Sequence, residues 1–388
     1  MKLNYNVDGR VRLAFTNHRI NMKKEFSNNN RKNLLGGLRS FQAPASRISG
    51  IGSYLPETEK NNQELIEAID IPPRLKKSLP AIIERTALMK TRRCASSDLY
   101  PSDLGALSVL DAIKNAGRKM EDIDTLIFAS TDKDQLEPAT ANILQQKLGI
   151  KLVNAFDISN ACNSFLQALN VGNSLIASGA SKCIAICASE LGTHWICPSL
   201  KNKDDLRQKM GGLTLGDASA SIILEPCNDS VSGINEINLF SLGEYWHLCH
   251  VPENTNWRKA SPRSINGWFY LDMSELARIV RPLTIEYFRE YSAYRKSTHN
   301  DEIFQNIDHI IPHQISKRLI EGIANILNVS MDMVGVTADK YGNTASAAIP
   351  LTLHKSIQSG KLSLGSGQEV FLFGAASGLG MGHIRLKL

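Results

Sequence analysis

The sequence has no unbroken apolar run near the roughly 18 residues that a membrane-spanning helix needs. Its N-terminus also lacks the apolar stretch of a secretory signal. Only 6% of the 388 residues are aromatic, while 43% are hydrophobic and 21% are charged, which is ordinary for a globular protein. We therefore expect a cytoplasmic protein without a membrane span, long enough for one large core or two domains.

Paired cysteines are missing as well. The seven cysteines are odd in number, and no two of them form a C-x-x-C pair. This pattern argues against a disulfide framework and against a zinc knuckle. The histidines show no convincing ligand spacing either. We expect no metal site and reduced thiols, any one of which can serve as a nucleophile.

Excess positive charge is absent from most of the chain, although the formal net charge is +6. Residues 1–47 hold ten Lys or Arg and two acids, so the remaining residues are slightly negative. A nucleic-acid partner for the body of the protein is therefore disfavoured. Residues 1–46 are predicted to form a basic, flexible extension. A solvated tail is the preferred interpretation, and contact with an acidic partner is the alternative.

Two parts of the chain repeat one order of elements, which is a strand, a helix, a short segment leading to a helix start, that helix, and a second strand. In the first part the strands lie at 123–129 and 182–188, and in the second at 307–311 and 369–374. Buried strands that alternate with amphipathic helices predict an α/β protein with a mainly parallel sheet, covered on both faces.

The repeat predicts a duplicated fold with an N-terminal half at 47–228 and a C-terminal half at 229–388. Residues 240–300 do not fit the repeat, and they contain three of the four tryptophans. We interpret that segment as an inserted cap or helical layer.

Cys162 is predicted to stand at the start of a helix over 163–178, directly after a short strand. The unpaired N–H groups and the positive end of a helix dipole favour a thiolate, so we expect a lowered pKa for this thiol. A backbone N–H there can also hold a developing oxyanion. A small buried cysteine that only packs between strand and helix is an equally good interpretation of the position alone.

His313 and Asn343 are the candidate partners of Cys162. His313 follows a strand that Pro312 ends, and α/β sites are usually built at strand ends; a capping histidine is the alternative. Asn343 occupies in the second half the place of Cys162 in the first. If the halves superpose, Cys162 and Asn343 approach one centre from two related helix starts.

These segments resemble the three catalytic signatures of ketoacyl-acyl-carrier-protein synthase III and its relatives in the thiolase superfamily. They read Phe-Asp-Ile-Ser-Asn-Ala-Cys162, Ile-Pro-His313-Gln and Tyr-Gly-Asn343-Thr-Ala-Ser-Ala-Ala-Ile-Pro. A glycine-rich segment that contains Ser377 and Gly378 resembles the family's oxyanion loop. The resemblance implies the thiolase fold, which is a duplicated α-β-α-β-α layered sandwich that forms a homodimer.

The resemblance also implies a mechanism. Cys162 would accept an acyl group from an acyl-CoA or acyl-carrier-protein thioester. His313 and Asn343 would stabilise the enolate of a second thioester, which attacks that acyl group in a Claisen condensation. The N–H groups of Cys162 and Ser377 would hold the oxyanion. CoA or phosphopantetheine thioesters are substrates in this mechanism, so no bound cofactor is expected, and the product belongs to fatty-acid-like or secondary-metabolite synthesis.

Two features differ from the common family pattern. Ala81 stands where the family places a tryptophan that stacks on adenine, which favours a carrier-protein donor over CoA. The basic residues Arg85, Lys317 and Arg318 are candidates for binding a phosphopantetheine phosphate or an acidic carrier helix. An exposed basic helix face is the alternative.

The second difference is Glu137, where an apolar residue is usual. A glutamate in this context resembles the head-to-head condensing thiolases and the pyrone-forming ketosynthases, in which it reaches across the dimer and acts as a base. A malonyl donor forms its carbanion by losing CO₂, whereas other donors must lose a proton, which a desolvated carboxylate can take. A solvated loop glutamate before a Pro-started helix is the alternative.

Three other functions share features with condensation. A cysteine hydrolase shares the order Cys, His and Asn, but the local papain-type signature is missing and the repeat has no explanation there. The intact Cys162, His313 and Asn343 argue against a non-catalytic partner subunit of a ketosynthase heterodimer. Acyl transfer to an oxygen or nitrogen nucleophile stays open, because its first half-reaction is the same.

Overall fold

The structure is a computed structural model that describes residues 33–227, 232–251 and 267–388. All the elements named below belong to one compact unit, Leu35–Leu388. Most of the predicted basic extension, together with Trp257, lies outside the described residues. No helix in the described ranges is both long enough and apolar enough to cross a membrane.

The described residues form fourteen strands and ten α-helices, joined by loops and short 3₁₀ turns. The strands are β1 (Arg39–Ser40), β2 (Ser46–Tyr54), β3 (Glu59–Asn61), β4 (Thr91–Arg93), β5 (Thr125–Ala129), β6 (Asn154–Ile158), β7 (Ile184–Leu191), β8 (Asp217–Pro226), β9 (Gly233–Ser241), β10 (Cys249–His250), β11 (Tyr270–Leu271), β12 (His309–Pro312), β13 (Glu369–Ala376) and β14 (Gly380–Lys387). The helices are α1 (Asn62–Glu67), α2 (Pro73–Ala87), α3 (Pro101–Asn115), α4 (Thr140–Leu148), α5 (Ser164–Ala177), α6 (Lys203–Lys209), α7 (Met273–Thr298), α8 (Lys317–Ile326), α9 (Ala338–Tyr341) and α10 (Ala348–Gln358).

Two five-stranded sheets carry the predicted duplication. The N-terminal sheet has the order β2-β8-β7-β5-β6, and the C-terminal sheet has the order β1-β9-β14-β13-β12. The pairs β5–β7 and β12–β13 are parallel. The next pairs in each sheet are antiparallel, namely β7–β8 and β8–β2 in the N-terminal sheet and β13–β14 and β14–β9 in the C-terminal sheet. A single parallel bridge from Ile310 to Val334 stands where β6 pairs with β5 in the other half. The two halves therefore share one topology.

The prediction of a mainly parallel sheet is wrong, because both sheets are mixed. In the N-terminal sheet β7–β8 and β2–β8 are antiparallel, and in the C-terminal sheet only β12–β13 is parallel. The physical reason is the short connection that reverses the chain, since β13 returns as β14 across the tight 3₁₀ turn Ser377–Leu379. A strand that is buried on both faces has an apolar sequence whether its neighbours are parallel or antiparallel, so the sequence does not reveal the strand direction.

Helices α5 and α10 form a middle layer between the sheets. Leu166 and Leu169 of α5 share one apolar cluster with Leu351 and Leu353 of α10 and with strands of both sheets, including Leu372 of β13. Side chains alternate along each strand, so β7 presents one set to this cluster and the next set to a second cluster under α3 and α4. The outer face of the C-terminal sheet packs on α7 and α8, where Phe288 meets Phe373 at 5.0 Å between ring centroids.

The layers therefore run helix, sheet, helix, sheet, helix, which confirms the predicted thiolase-type sandwich. The predicted helical layer within residues 240–300 is present in the described part as α7, which begins at Met273 beneath an Asp272 side chain that accepts from the N–H of Glu275. Residues 252–266 lie outside the described ranges.

Part of the predicted extension belongs to the C-terminal sheet. Arg39 and Ser40 pair with Ile237 and Glu236 of β9. The flexible-tail prediction is therefore wrong for this segment, because an edge strand with free backbone N–H and C=O groups is available to pair with it. The boundary between the halves at residue 228 separates β8 from β9, which lie in different sheets, and as a domain boundary it stays a prediction.

Strand β2 packs on α3 with its backbone in direct contact, which requires glycine. A Cβ atom placed on Gly52 would lie 2.3 Å from the backbone N of Ala112 and 2.6 Å from the carbonyl of Ser108. The helix cannot yield at these backbone atoms without moving as a whole. We expect Gly52→Ala to lower the free energy of unfolding by about 3 kcal/mol, the upper range for overpacking.

The matched control is Gly322→Ala in α8, where a Cβ atom would meet nothing within 4 Å. Alanine there is expected to raise stability by about 0.5–1 kcal/mol, because it restricts the unfolded chain and favours helix. Urea unfolding of both variants tests the contact. Equal stability of the two variants would contradict it.

Candidate active site

Cys162 lies in a tight turn between β6 and α5. Its neighbour Ala161 has φ 48°, and the carbonyl of Asn160 accepts from the N–H of Asn163 at 3.0 Å. The Ser164 hydroxyl donates to the carbonyl of Ala161 at 2.7 Å and accepts from the N–H of Asn160 at 2.8 Å. These bonds hold the cysteine in a fixed position ahead of the first helical residue.

The expected lowering of the Cys162 pKa is wrong for the unacylated protein. Desolvation by the surrounding protein raises the pKa of this thiol, and Cys249 and Glu190 raise it further. Two N–H groups act in the opposite direction, that of Cys162 itself and that of Ser377. The helix begins only at Ser164, so its dipole does not offset the loss of water. The resting nucleophile is a thiol.

Ser377 and Gly378 form the turn between β13 and β14, as the glycine-rich pattern predicts. Gly378 has φ 73° and Leu379 has φ 51°, so the chain passes through two left-handed positions in succession. This turn directs the Ser377 N–H at the Cys162 sulfur. A second N–H beside that of Cys162 is the arrangement that an oxyanion needs, and the catalytic role of this pair stays a prediction.

His313 follows the last residue of β12 and is held by its backbone. Its N–H donates to the carbonyl of Phe373 at 2.8 Å, while the next residue, Gln314, bonds the carbonyls of Pro312 and Gly335. Burial lowers the pKa of His313 to about 4, so the imidazole is neutral. Its Nδ1 has no hydrogen-bond partner among the described residues. A neutral ring can donate one hydrogen bond to a substrate carbonyl without adding a full charge.

Asn343 is fixed on both sides. Its N–H donates to the carbonyl of Thr214 at 2.8 Å, and its carbonyl accepts from the N–H of Gly216 at 3.1 Å. Its side-chain oxygen accepts from the N–H of Ala345 at 3.0 Å, which leaves the amide nitrogen as the donor for a ligand. Gly216 allows the close approach, because a Cβ there would lie 2.0 Å from the carbonyl of Tyr341.

Contacts between the halves bring the three residues to one place. A Cβ on Gly374 would lie 2.2 Å from the side-chain oxygen of Asn163, so β13 crosses directly over the residue after Cys162. The preceding residue of β13, Phe373, is the one that holds His313. Glu190 of β7 bonds Ser346, in the turn that follows Asn343. The nucleophile of one half therefore meets the two donors of the other.

The basic candidates also come together. Arg85 lies in the last turn of α2, and Arg318 of α8 donates from its guanidinium to the carbonyl of Arg85 at 3.3 Å. Lys317 lies 3.8 Å from Asp339. Arg85 and Arg318 are exposed, and Arg318 also lies 4.0 Å from Glu321. Arg85, Lys317 and Arg318 therefore form a surface patch in which two of the basic groups have acidic neighbours.

Glu137 lies on the loop between β5 and α4, and it is exposed. Its peptide bond to Pro138 is cis. Within the described part of the chain it has no hydrogen bond or ion pair, and nothing brings it to Cys162 of the same chain. Its predicted role in a partner's site stays a prediction.

Two buried acids next to the site were not predicted from the sequence. Glu190 is 0% exposed and Asp132 is 4% exposed, and each stands at or just beyond the carboxyl end of a strand of the N-terminal sheet. The available signal was a polar residue that directly follows a strongly apolar strand, as in Ala-Ser-Glu190. In the described ranges no three residues of the His, Cys, Asp and Glu types could hold a metal ion.

Two family models match the chain. The model "3-Oxoacyl-[acyl-carrier-protein (ACP)] synthase III" matches residues 156–243, and the model for its C-terminal part matches residues 302–388. Two similar curated proteins are the β-ketoacyl-[acyl-carrier-protein] synthases III of Neisseria gonorrhoeae, 31% identical, and of Thioalkalivibrio sulfidiphilus, 30% identical. Each alignment covers 88% of this chain and 99% of the relative.

The chain belongs to the ketoacyl-acyl-carrier-protein synthase III family of the thiolase superfamily. Among solved structures, the 3-oxoacyl-[acyl-carrier-protein] synthase III of Aquifex aeolicus is 26% identical, with a TM-score of 0.73 over 88% of this chain and 100% of that one. OleA of Xanthomonas campestris, crystallised with lauric acid and lauroyl-CoA, shares the fold at 19% identity, with a TM-score of 0.75 over 89% and 99%.

Membership makes this synthase III relative a condensing enzyme that transfers acyl groups. The site has the chemistry for it, since a thiol stands beside two N–H groups while a neutral imidazole and an amide are fixed opposite. The papain-type hydrolase is excluded, because this fold and family differ from it.

The neutral state of His313 gives a measurable pH dependence. Its pKa in the folded protein, about 4, lies below the value of 6.5 expected in an unfolded chain. The stability that this histidine contributes is therefore complete above pH 6.5 and is lost as the pH falls from there through 4. We expect ¹³C-labelled His313 to titrate near 4 in NMR spectra, with His313→Asn used to assign the resonance. A midpoint near 6.5 would contradict a desolvated ring.

Proposed function

We propose that this enzyme joins two acyl thioesters head to head, with Cys162 carrying the first acyl group and Glu137 of a partner subunit removing a proton from the second. The observation that carries the proposal is the contrast between two glutamates. Glu190 is fully buried and accepts hydrogen bonds from Thr131 and Ser346 of its own subunit. Glu137, in contrast, is exposed on a loop and has no hydrogen bond or ion pair among the described residues.

Acylation uses the desolvated thiol of Cys162. The thiol attacks the carbonyl of the first thioester, and its proton leaves with the departing thiolate of CoA or the carrier arm. In this proposal the N–H groups of Cys162 and Ser377 stabilise the tetrahedral oxyanion.

Condensation uses the second half. The carbonyl oxygen of the second thioester accepts hydrogen bonds from His313 and from the Asn343 amide, and these donors stabilise the enolate once the α-carbon loses a proton. No CO₂ leaves from a plain acyl donor, so a base is required. The enolate attacks the acyl group on Cys162, and the thiolate of Cys162 is released.

Basic residues at the surface bear on which acyl thioester the enzyme uses as donor. The patch of Arg85, Lys317 and Arg318 is suited to a phosphopantetheine phosphate or to an acidic carrier helix. OleA was crystallised with lauroyl-CoA, which supports a medium-chain acyl thioester as the first substrate to test. Head-to-head use of two such chains supports a role outside ordinary malonyl-dependent elongation.

A homodimer is part of this proposal, because Glu137 can act only from a second copy of the chain. We expect Glu137→Ala to be acylated by lauroyl-CoA at the wild-type rate but to condense two acyl groups at least about 100-fold more slowly, which is the lower range for loss of a general base. Intact-protein and product mass spectrometry measure the two steps. The matched control is Glu121→Ala, another exposed acid of the same half, which is expected to keep both rates.

Mixed dimers give the decisive form of this test. In a dimer of one Glu137→Ala subunit and one Cys162→Ala subunit, one site keeps its own Cys162 and receives Glu137 from the other chain. We expect such dimers to regain about half of the wild-type condensation rate, since one of the two symmetric sites is complete. Mixed dimers as inactive as the parents, or a fully active Glu137→Ala homodimer, would reject the proposed base.

A further inference from the structure

A pair of acids lies buried behind the condensing site, without a cation. Asp132 lies in the loop after β5, and Glu190 lies in β7. Both side chains are almost fully buried. No Lys or Arg in the described ranges forms an ion pair with either of them. The Nε2 of His194 lies 3.7 Å from Asp132 Oδ1. Two uncompensated charges in such a place are costly, so the pair favours sharing one proton.

The hydrogen bonds show which acid holds the negative charge. Glu190 Oε1 accepts from the N–H of Thr131 at 2.8 Å, from the N–H of Ser346 at 3.3 Å and from the Ser346 hydroxyl, and its Oε2 accepts from the N–H of Asp132 at 3.2 Å. Four donors around one carboxyl suit the ionised form. Asp132 accepts only two backbone N–H bonds, from Lys133 and Leu191. Asp132 is therefore the protonated member.

Glu190 joins three segments that the reaction uses. Ser346 follows Ala345, whose N–H fixes the side-chain oxygen of Asn343. Thr131 and Asp132 begin the loop that carries Glu137. Glu190 also lies close enough to Cys162 for its charge to raise the pKa of that thiol. One carboxylate thus links the nucleophile half to the Asn343 turn.

We propose that Glu190 is a positioning residue for condensation, which holds the Asn343 amide in place through Ser346, and that the proton on Asp132 keeps the pair at a single negative charge. This inference rests on the condensing activity and not on the identity of the second donor. The assay accordingly uses whichever donor the wild-type enzyme condenses, malonyl or plain acyl thioester.

The proton on Asp132 makes the arrangement sensitive to pH. Burial raises the pKa of Asp132 well above its usual value, and the charges of Glu190 and Asp217 raise it further. Among the described residues, Cys162 and His194 are further titratable groups that face the pair. Because an acid with a raised pKa stabilises the fold below that pKa, its contribution is lost as the pH rises through it. A second negative charge then repels Glu190 and loosens its bonds.

The test separates acylation of Cys162 from condensation in single-turnover experiments on the full-length protein. Glu190→Gln places an amide NH₂ against backbone N–H donors, and we expect condensation to fall about ten-fold or more. Acylation is expected not to slow, because loss of the Glu190 charge lowers the pKa of the Cys162 thiol. Ser346→Ala removes one donor without changing charge, and a smaller fall of the same kind is expected. This second variant keeps the test valid if Glu190→Gln folds poorly.

The matched control is Glu225→Gln, a buried acid near the opposite end of the same sheet. It is expected to leave the ratio of condensation to acylation unchanged, even if stability falls. A Ser346→Ala enzyme with a wild-type ratio, or a Glu225→Gln enzyme with the altered ratio, would overturn the positioning role. Loss of acylation together with condensation would mark Glu190 as merely structural and would also overturn it.

The pH profile tests the shared proton. We expect the condensation rate of pre-acylated wild-type enzyme to fall on the alkaline side of its pH profile, where Asp132 loses its proton. The Asp132→Asn rate is expected not to fall there, because the amide has no such proton to lose. A flat wild-type profile, or an identical fall in Asp132→Asn, would refute the shared proton. Neither result bears on whether the enzyme uses Glu137, so the two proposals fail independently.

Discussion

The whole site depends on the burial of two helices between two sheets. α5 and α10 contribute to one apolar cluster with strands of both sheets, and nearly every residue of α10 from Ala348 to His354 is buried. Sheets stacked on both sides leave each helix only its ends for access to substrate. Because the halves share one topology, the two helix starts meet.

Desolvation follows from this placement and sets the electrostatics of the site. It lowers the pKa of His313 to about 4 and raises that of the Cys162 thiol. It also raises the pKa of Asp217 to about 6, although that carboxyl accepts bonds from Ala95 and Thr193. Each group is thus pushed toward its neutral form. Neutral donors and a dormant thiol suit thioester chemistry, in which charge appears only during the reaction and is stabilised by fixed dipoles.

Much of this arrangement was predictable from the sequence. The repeat of strands and helices placed Asn343 opposite Cys162, and the bridge from Ile310 to Val334 shows how far the duplication extends. Strand direction was not predictable, since buried apolar runs read alike in parallel and antiparallel pairs. The predicted direction of the pKa shift of the Cys162 thiol was also wrong. The sequence shows the start of a helix, but it does not show the surrounding protein that desolvates the sulfur. Glu190 was not predicted for a similar reason, because the sequence does not show that Ser346, from the other half of the chain, bonds to its carboxylate beside Thr131 and Asp132.

The central claim is that Cys162 of this two-half site carries the acyl group. Intact-protein mass spectrometry after incubation with an acyl thioester measures it directly. The account predicts the mass of one acyl group on each wild-type chain, removable by hydroxylamine, and no such mass on Cys162→Ala. An adduct of equal yield on Cys162→Ala would contradict the account, because six other free cysteines would then include the true acceptor.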